Sequence, residues 1–171
     1  MLSERAVFAT PFGFALAAAR EGRLVGLSFY ASEEAARAAL AASGAEARLE
    51  PDAAPFPLLR RQLAEYFAGE RTAFELPLAP AGTPFQRDVW DALLAIPYGE
   101  TRSYGELAAA VGKPGAARAV GRANHDNPIG VVIPCHRVIG AGGSLTGYAG
   151  GVDRKRYLLE LEGALQRSLA L

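Results

Sequence analysis

Residues 77–82 read Pro-Leu-Ala-Pro-Ala-Gly and divide the chain into two halves. The two prolines and the glycine interrupt the hydrophobic periodicity on both sides, which is typical of a linker. A chain of 171 residues is long enough for two small domains that each bury a core. We therefore predict an α+β protein with an N-terminal domain over residues 1–80 and a C-terminal domain over residues 81–171.

The N-terminal half has the pattern of a small α/β domain with an antiparallel sheet. Apolar and alternating runs predict strands at residues 5–10, 14–20, 24–30 and 74–78, of which the middle two form a hairpin. The period then becomes helical. It predicts one helix over residues 33–42, after a capping Ser32, and another over residues 57–68.

The C-terminal half predicts a mostly helical, winged-helix-like domain. Thr83 and Ser103 each begin a capping box, and Pro and Gly residues end the helical patterns. Helices are predicted at residues 84–96, 104–111, 116–124 and 153–162. The middle two are short and are joined by a turn that contains glycine, as in a helix-turn-helix. Residues 129–139 are predicted to form a buried strand that a proline interrupts.

The net charge is zero, which by itself argues against a nucleic-acid binder, because neutralised phosphates provide most non-specific affinity. The charges are unevenly distributed, however. Residues 83–171 carry 10 Lys and Arg against 8 Asp and Glu, whereas residues 1–82 carry 8 against 10. Between Arg102 and Arg137 there are five basic residues and two acidic ones. This mild local excess is compatible with a small DNA footprint.

One cysteine and two histidines are too few for an intramolecular disulfide or a Cys/His zinc cage, so we expect no metal. The longest early uncharged run, residues 6–19, contains Pro11 and Gly13 and is too short to span a bilayer. The N-terminus lacks the pattern of a secretory signal. We therefore expect a cytoplasmic protein with no membrane partner, in a compartment whose reducing conditions suit a reactive thiol.

Cys135 is either a small core residue or a reactive thiol, and its neighbours favour the second interpretation. Pro134 bends the run, and His136 and Arg137 supply a base or cations that favour a thiolate. An unperturbed thiol is only a few per cent ionised at pH 7, so modest stabilisation of the anion gives roughly tenfold more nucleophile. Adjacent side chains on an extended segment point to opposite faces, so Cys135 and His136 need a local turn or a bridging water to cooperate.

The run Ile133-Pro134-Cys135-His136-Arg137-Val138, with Asn127-Pro128 before it and Gly147-Tyr148 and Gly150-Gly151 after it, resembles the signature of the bacterial 6-O-alkylguanine-DNA alkyltransferases. The similarity covers most of residues 83–163. The resemblance implies DNA repair by irreversible, single-turnover transfer of the alkyl group of 6-O-methylguanine, and of 4-O-methylthymine, to the protein's own cysteine. It also implies a monomer that needs no cofactor and binds alkylated double-stranded DNA.

The resemblance further implies a role for each matched residue. Cys135 would accept the alkyl group, His136 would be its water-mediated base, and Glu162 would hold the histidine. Asn127 would connect the second helix of the helix-turn-helix, the recognition helix, to the segment that contains Cys135. Tyr104 would press on the phosphate beside the flipped guanine and donate a hydrogen bond to the base. The DNA would be bound through the minor groove by Tyr104, Ala117, Arg118, Ala119, Gly121 and Arg122, with Arg118 entering the base stack. The pocket would be lined by Val131, Pro134, Val138, Tyr148 and Ala149.

Two residues depart from the pattern of relatives, and three other interpretations stay open. Ala149 stands where some relatives have serine, which removes one hydroxyl donor to the base, and Thr146 stands where others have a smaller residue, which narrows the pocket for bulky alkyl groups. The alternatives are a lesion-binding protein without an acceptor thiol, which Cys135 disfavours, a cysteine hydrolase with repeated turnover, and a DNA-binding regulator that uses the helix-turn-helix alone.

Overall fold

The computed structural model describes residues 2–44, 46–148 and 150–165, which fall into two compact units. The first lies within Met1–Ala81 and Pro128–Gly130, and the second within Gly82–Asn127 and Val131–Leu171. The sequence did not predict that residues 128–130, which come late in the chain, belong with the first unit. No helix among the described residues is long and apolar enough to cross a membrane.

The first unit is built on a four-stranded sheet in the order β3-β2-β1-β4. Its strands are β1 (Ser3–Thr10), β2 (Gly13–Arg20), β3 (Arg23–Tyr30) and β4 (Ala47–Leu49). The β2–β3 hairpin turns at Glu21 and Gly22, which have φ angles of 52° and 74°, the left-handed pair that matches the twist of the flanking strands. β1, β2 and β3 pair antiparallel as predicted, whereas the unpredicted β4 pairs parallel with β1.

Two helices, α1 (Glu33–Ala42) and α2 (Phe56–Phe67), pack against this sheet. Ser32 caps α1 by accepting a hydrogen bond from the Ala35 amide, as its position predicts. α2 buries one face, formed by Phe56, Leu59, Gln62, Leu63, Tyr66 and Phe67. The α/β character of this half is therefore confirmed.

The strand predicted over residues 74–78 is wrong. Only Leu78 makes a bridge, to Leu24, and the backbone of Glu75 is hydrogen-bonded to a side chain instead of a strand. Gln62 donates to the Glu75 carbonyl at 3.0 Å and accepts from its amide at 2.8 Å. Pro77 has no amide hydrogen to give to a ladder, which further disfavours a strand here.

The second unit is mostly helical, as predicted. Its helices are α3 (Pro84–Leu94), α4 (Tyr104–Ala110), α5 (Ala117–His125) and α6 (Val152–Leu161). Both predicted capping boxes form, with Thr83 and Gln86 at the start of α3 and Ser103 and Glu106 at the start of α4. Two-residue strands β5 (Arg102–Ser103) and β6 (Val138–Ile139) pair parallel.

Helices α3, α4 and α5 pack against one another around a core that includes the single tryptophan. Trp90 is 2% exposed, and its indole nitrogen donates to the Ala123 carbonyl of α5 at 2.9 Å. Position 82 requires glycine, because a Cβ there would lie 2.5 Å from the Trp90 ring. The linker glycine therefore also makes room for the core of the second unit.

The buried strand predicted over residues 129–139 is also wrong. The chain is buried there, but it turns at residues 130–132, with Val131 at φ 67°, and then forms a 3-10 turn over Cys135–Arg137. Val138 and Ile139 form a two-residue strand, and Ile129 makes a single bridge to Leu27. The cause is local, because Pro134 lacks an amide hydrogen and its fixed φ favours a bend.

Candidate active site

The only cysteine of the chain lies at the start of the 3-10 turn Cys135–Arg137, which follows Pro134. Cys135 is 8% exposed, so its thiol lies just below the surface of the second unit. The Cys135 amide donates to the Ile133 carbonyl at 2.8 Å, and the Arg137 amide donates to the Pro134 carbonyl at 3.0 Å. The turn supplies the local bend that the sequence required if Cys135 and His136 are to cooperate.

Two asparagines connect α5 to this turn. Asn127, two residues past the end of α5, donates from its side chain to the Ile133 carbonyl at 2.8 Å and is also hydrogen-bonded to Cys135. Asn124, inside α5, donates to the Cys135 carbonyl at 3.3 Å and is 3% exposed. The structure therefore brings Asn127 to the cysteine, and it adds Asn124, which the sequence analysis missed. A buried Asn in the last turn of a helix, where it has low propensity, was the available signal.

Behind the cysteine, three side chains form a buried network. His136 Nε2 lies 2.8 Å from Glu162 Oε2. The Arg137 guanidinium donates to both oxygens of the same carboxylate, at 2.8 and 3.0 Å, and to the Ile96 carbonyl at 2.7 Å. A bidentate Arg–carboxylate pair fixes the orientation of the carboxylate, and that orientation in turn fixes the imidazole. His136 and Glu162 thus come together although 26 residues separate them in the sequence.

The charges in this network define the histidine tautomer. Burial alone would raise the pKa of Glu162, but the hydrogen bonds from His136 and Arg137 bring it down to about 2. Burial lowers the pKa of His136 even though Glu162 opposes this, so the imidazole is neutral. An ionised Glu162 only accepts hydrogen bonds, so His136 Nε2 carries the hydrogen and Nδ1 carries the lone pair. Nδ1 has no hydrogen-bond partner among the described residues, which leaves it able to accept a proton.

The thiol itself is not pre-ionised. Burial raises the pKa of Cys135, while the hydrogen bond from Asn127 and the charge of Lys155 act in the opposite direction. The expectation that Arg137 favours the thiolate is wrong, since its guanidinium is bound to Glu162 and Ile96. The cation that acts on the sulfur is instead Lys155, a residue that the sequence analysis did not single out.

Lys155 is fully buried and lies on the inner face of α6. It donates to the carbonyls of Val138 and, at 2.9 Å, of Thr146, and its nitrogen is 5.9 Å from the centre of the Tyr104 ring. The sequence contained a signal. Lys155 falls on the same helical stripe as the buried Leu158, Leu159 and Glu162, so a lysine stands at an inward-facing position.

Two tyrosines lie close enough to the thiol for its charge to affect them. Tyr104, at the start of α4, donates its hydroxyl to the Thr146 carbonyl at 3.1 Å, and its ring packs beside Gly121 of α5. Burial raises the pKa of Tyr104 and of Tyr148, and the charge of Cys135 adds to both shifts. Both phenols therefore keep their protons at neutral pH.

The predicted pocket residues Val131, Pro134 and Val138 are buried around the cysteine turn, and Tyr148 is half-buried. Ala149 lies outside the described residues. The Thr146 side chain is exposed, and it is the backbone carbonyl of Thr146 that contacts Tyr104 and Lys155. Five of the predicted DNA-binding residues lie together on α5, and the sixth, Tyr104, is on α4. Arg118, Ala119 and Arg122 are exposed, and Ala117 and Gly121 are partly so. Among residues 2–44, 46–148 and 150–165, no three His, Cys, Asp or Glu side chains are grouped as metal ligands would be.

Family models match both halves of the chain. The model of the 6-O-methylguanine DNA methyltransferase, DNA binding domain, matches residues 84–164, and that of the 6-O-methylguanine DNA methyltransferase, ribonuclease-like domain, matches residues 5–80. The methylated-DNA--protein-cysteine methyltransferase of Mycobacterium tuberculosis is 63% identical over 112 residues, which cover 66% of this chain and 68% of the relative. That of Salmonella typhimurium is 61% identical over 108 residues, which cover 63% of each.

Solved structures extend the similarity to nearly the whole chain. The O6-methylguanine methyltransferase of Mycobacterium tuberculosis superimposes with a TM-score of 0.80 at 47% identity, over 95% of this chain and 94% of that one. The crystal structure of Mycobacterium tuberculosis OGT in complex with DNA gives a TM-score of 0.83 at 48% identity, over 94% of this chain and 93% of the other. The predicted fold class is therefore confirmed.

Proposed function

Because the chain belongs to the 6-O-methylguanine DNA methyltransferase family, we propose that it repairs DNA by moving the alkyl group of 6-O-methylguanine onto the sulfur of Cys135. The observation that carries the proposal is the arrangement around the thiol. A shallowly buried cysteine is followed by a neutral histidine whose Nδ1 is unpartnered among the described residues and whose Nε2 is bound to an ionised carboxylate. This arrangement provides a nucleophile, a base and a group that orients the base.

The transfer is a single displacement at the methyl carbon. The sulfur forms a bond to that carbon, the bond from the carbon to oxygen 6 breaks, and its electron pair stays on the purine. The thiol proton passes through a water molecule to His136 Nδ1, and the Glu162 carboxylate stabilises the imidazolium that forms. Because a thioether resists hydrolysis, the sulfur is not regenerated and each protein molecule acts once. These steps involve only side chains of the chain and water.

Tyr104 is the proposed proton donor to the departing purine. Its pKa, raised mainly by burial and further by the charge of Cys135, keeps the phenol protonated. To act, the hydroxyl must exchange its hydrogen bond to the Thr146 carbonyl for one to the base. A guanine that leaves as a neutral molecule is a much better leaving group than its anion. Val131, Pro134, Val138, Tyr148 and Ala149 are the proposed lining of the base pocket.

We assign residues 81–171 as the DNA-binding and alkyl-acceptor domain, residues 1–80 as the N-terminal domain, and α5 as the helix that enters the minor groove. The exposed Ala119 and the partly exposed Ala117 and Gly121 allow a close approach to the groove floor, and the exposed Arg118 is free to fill the space of an everted nucleotide. We expect Arg122, which is exposed and pairs with Asp126 at 3.6 Å, to contact phosphate in the DNA complex. One α5 per lesion suffices for this geometry, so we expect a monomer, acting in the reducing cytoplasm.

The test is the intact mass of the protein after incubation with a duplex that contains one 6-O-methylguanine. We expect a gain of one methyl group, located on Cys135 by peptide mapping, with a yield that stops at one per protein molecule. Cys135→Ser, nearly the same size as the native residue, is the matched control and should gain nothing. A duplex with 4-O-methylthymine tests the second substrate.

Two outcomes would contradict the proposal. Methylated DNA that is bound but never demethylated would indicate a lesion-binding protein or a regulator, and repeated turnover without a stable adduct would indicate a hydrolase.

A further inference from the structure

Lys155 is a fully buried cation that the steps above do not use. Its ammonium donates to two backbone carbonyls, of Val138 and Thr146, and among the described residues it forms no ion pair with a carboxylate. Glu162, the buried carboxylate of the network described above, is bound by His136 and Arg137. Burying a charge without an opposite charge is costly, so a lysine in this position needs an explanation.

The carbonyl partners of Lys155 flank a glycine-rich loop, residues 139–145, which is the first part of the connection between β6 and α6. Val138 precedes the loop and Thr146 follows it, while the residues between them include Gly140, Gly142 and Gly143. Glycines make such a loop costly to order. A single ammonium bonded to both ends fixes the separation of the ends and thereby holds the Thr146 carbonyl, which is also the acceptor of the Tyr104 hydroxyl.

We propose that Lys155 is a positioning residue of the acceptor site, whose buried ammonium closes the glycine-rich loop and provides the positive charge against which the Cys135 thiolate forms. This inference rests on the proposed function, because it concerns how Cys135 is prepared for transfer. Lys155 keeps its proton throughout. The thiol proton goes to His136 through water, and the ammonium only offsets the negative charge that develops on sulfur.

The electrostatic coupling between the two groups supports this role. The charge of Lys155 lowers the pKa of Cys135, and in return Cys135 raises that of Lys155, although burial of the lysine outweighs this and leaves its pKa at about 8. The other titratable groups that bear on the sulfur are Tyr104 on α4 and Tyr148 shortly after the loop, both uncharged at neutral pH. Behind them, neutral His136 also senses the charge of Lys155. Lys155 is thus the cation that acts directly on the thiol.

The first experiment measures the pH dependence of Cys135 alkylation by iodoacetamide, read as intact mass, in the full chain without DNA. Lys155→Gln keeps a hydrogen-bond donor but removes the charge, and Lys155→Arg keeps the charge. At neutral pH, where Lys155 is charged because its pKa is about 8, we expect alkylation to be roughly tenfold slower in Lys155→Gln and to return most of the way to the native rate in Lys155→Arg. Lys113→Gln, at the other lysine of the chain and exposed, is the matched control. A Lys155→Gln profile that superimposes on the native one would overturn the proposal.

A second experiment does not depend on whether the Lys155 variants fold. The chain has two lysines, so the ε-carbon resonances of a lysine-labelled sample give two titration curves. Because the coupling is reciprocal, removing the thiol in Cys135→Ser should lower the pKa of Lys155. Identical Lys155 curves in the native protein and in Cys135→Ser would contradict the inference. Failure of the native protein to take up methyl from DNA would contradict the proposed function instead, whatever these two titrations show.

Discussion

The imidazole of His136 and the carboxylate of Glu162 meet at 2.8 Å in a fully buried contact, and Arg137 binds both oxygens of the same carboxylate. The histidine cannot therefore rotate without breaking an interaction with an ionised group. Its Nδ1 is held as the acceptor, on the side of the ring away from Glu162. This relationship gives the histidine next to the cysteine a defined tautomer, and it leads to the first two predictions.

Glu162→Gln should slow methyl transfer and destabilise the protein. The amide can donate to His136, which permits the wrong tautomer, and it leaves the buried guanidinium of Arg137 without a counter-charge. We expect transfer to slow by about 10- to 100-fold and the free energy of unfolding to fall by about 3 kcal/mol. Single-turnover kinetics and urea unfolding measure the two effects. Glu160→Gln, two residues earlier near the end of α6, should change neither, and an equal loss in both variants would refute the role of Glu162.

The stability of the protein should fall in acid, in a window that Glu162 defines. The pKa of Glu162 is about 2 in the folded protein and 4.5 as its ordinary value, so the unfolded state binds the proton first. Ionised Glu162 contributes about 3 kcal/mol to the free energy of unfolding. This contribution is present above about pH 4.5 and is lost as the pH falls towards 2. The lowered pKa of His136 also reduces stability as the pH falls below 6.5. Urea unfolding at a series of pH values should show this slope, and Glu162→Gln should flatten it below pH 4.5.

Gly99 should be required for the position of Glu162 and not only for its own backbone conformation. Its φ is 83°, and a Cβ there would lie 3.1 Å from the Glu162 carbonyl oxygen. Gly112 has a similar φ of 76° with nothing within 4 Å. Gly99→Ala and Gly112→Ala should both lose about 1–2 kcal/mol of stability to backbone strain. Only Gly99→Ala should also slow methyl transfer, by about tenfold, and equal transfer rates in the two variants would contradict this reading.

At position 131, the glycine variant should be more stable than the alanine variant, which reverses the usual order of stability. It is a buried β-branched residue with a φ of 67°, a conformation that every residue except glycine adopts with strain. Val131→Gly should therefore be more stable than Val131→Ala by about 1 kcal/mol, as measured by urea unfolding. At the neighbouring Val132, which is buried without a positive φ, the alanine variant should be the more stable one. The same ranking at both positions would show that Val131 is not strained.

Arg118→Ala should weaken repair of duplex DNA without changing the reactivity of the thiol. Arg118 is exposed on α5, away from the buried network, so its loss should slow methyl transfer from a duplex by at least about tenfold. Alkylation of Cys135 by iodoacetamide should keep its native rate. Arg61→Ala, an exposed arginine of α2, is the control for loss of one positive charge. If Arg118→Ala and Arg61→Ala slow transfer equally, Arg118 has no specific place in the DNA complex.

Local sequence determined much of this protein. The capping boxes at Thr83 and Ser103 fixed where two helices begin, and the Pro-Cys-His-Arg run identified the reactive turn, because both signals depend on residues within a few positions of each other. Tertiary structure decided the rest. The Gln62 side chain is hydrogen-bonded to the Glu75 backbone, which the predicted strand would have paired with a neighbouring strand. The cation that acts on the thiol is Lys155 and not Arg137. Which side chain meets a buried charge depends on how distant elements pack, and no local pattern encodes that packing.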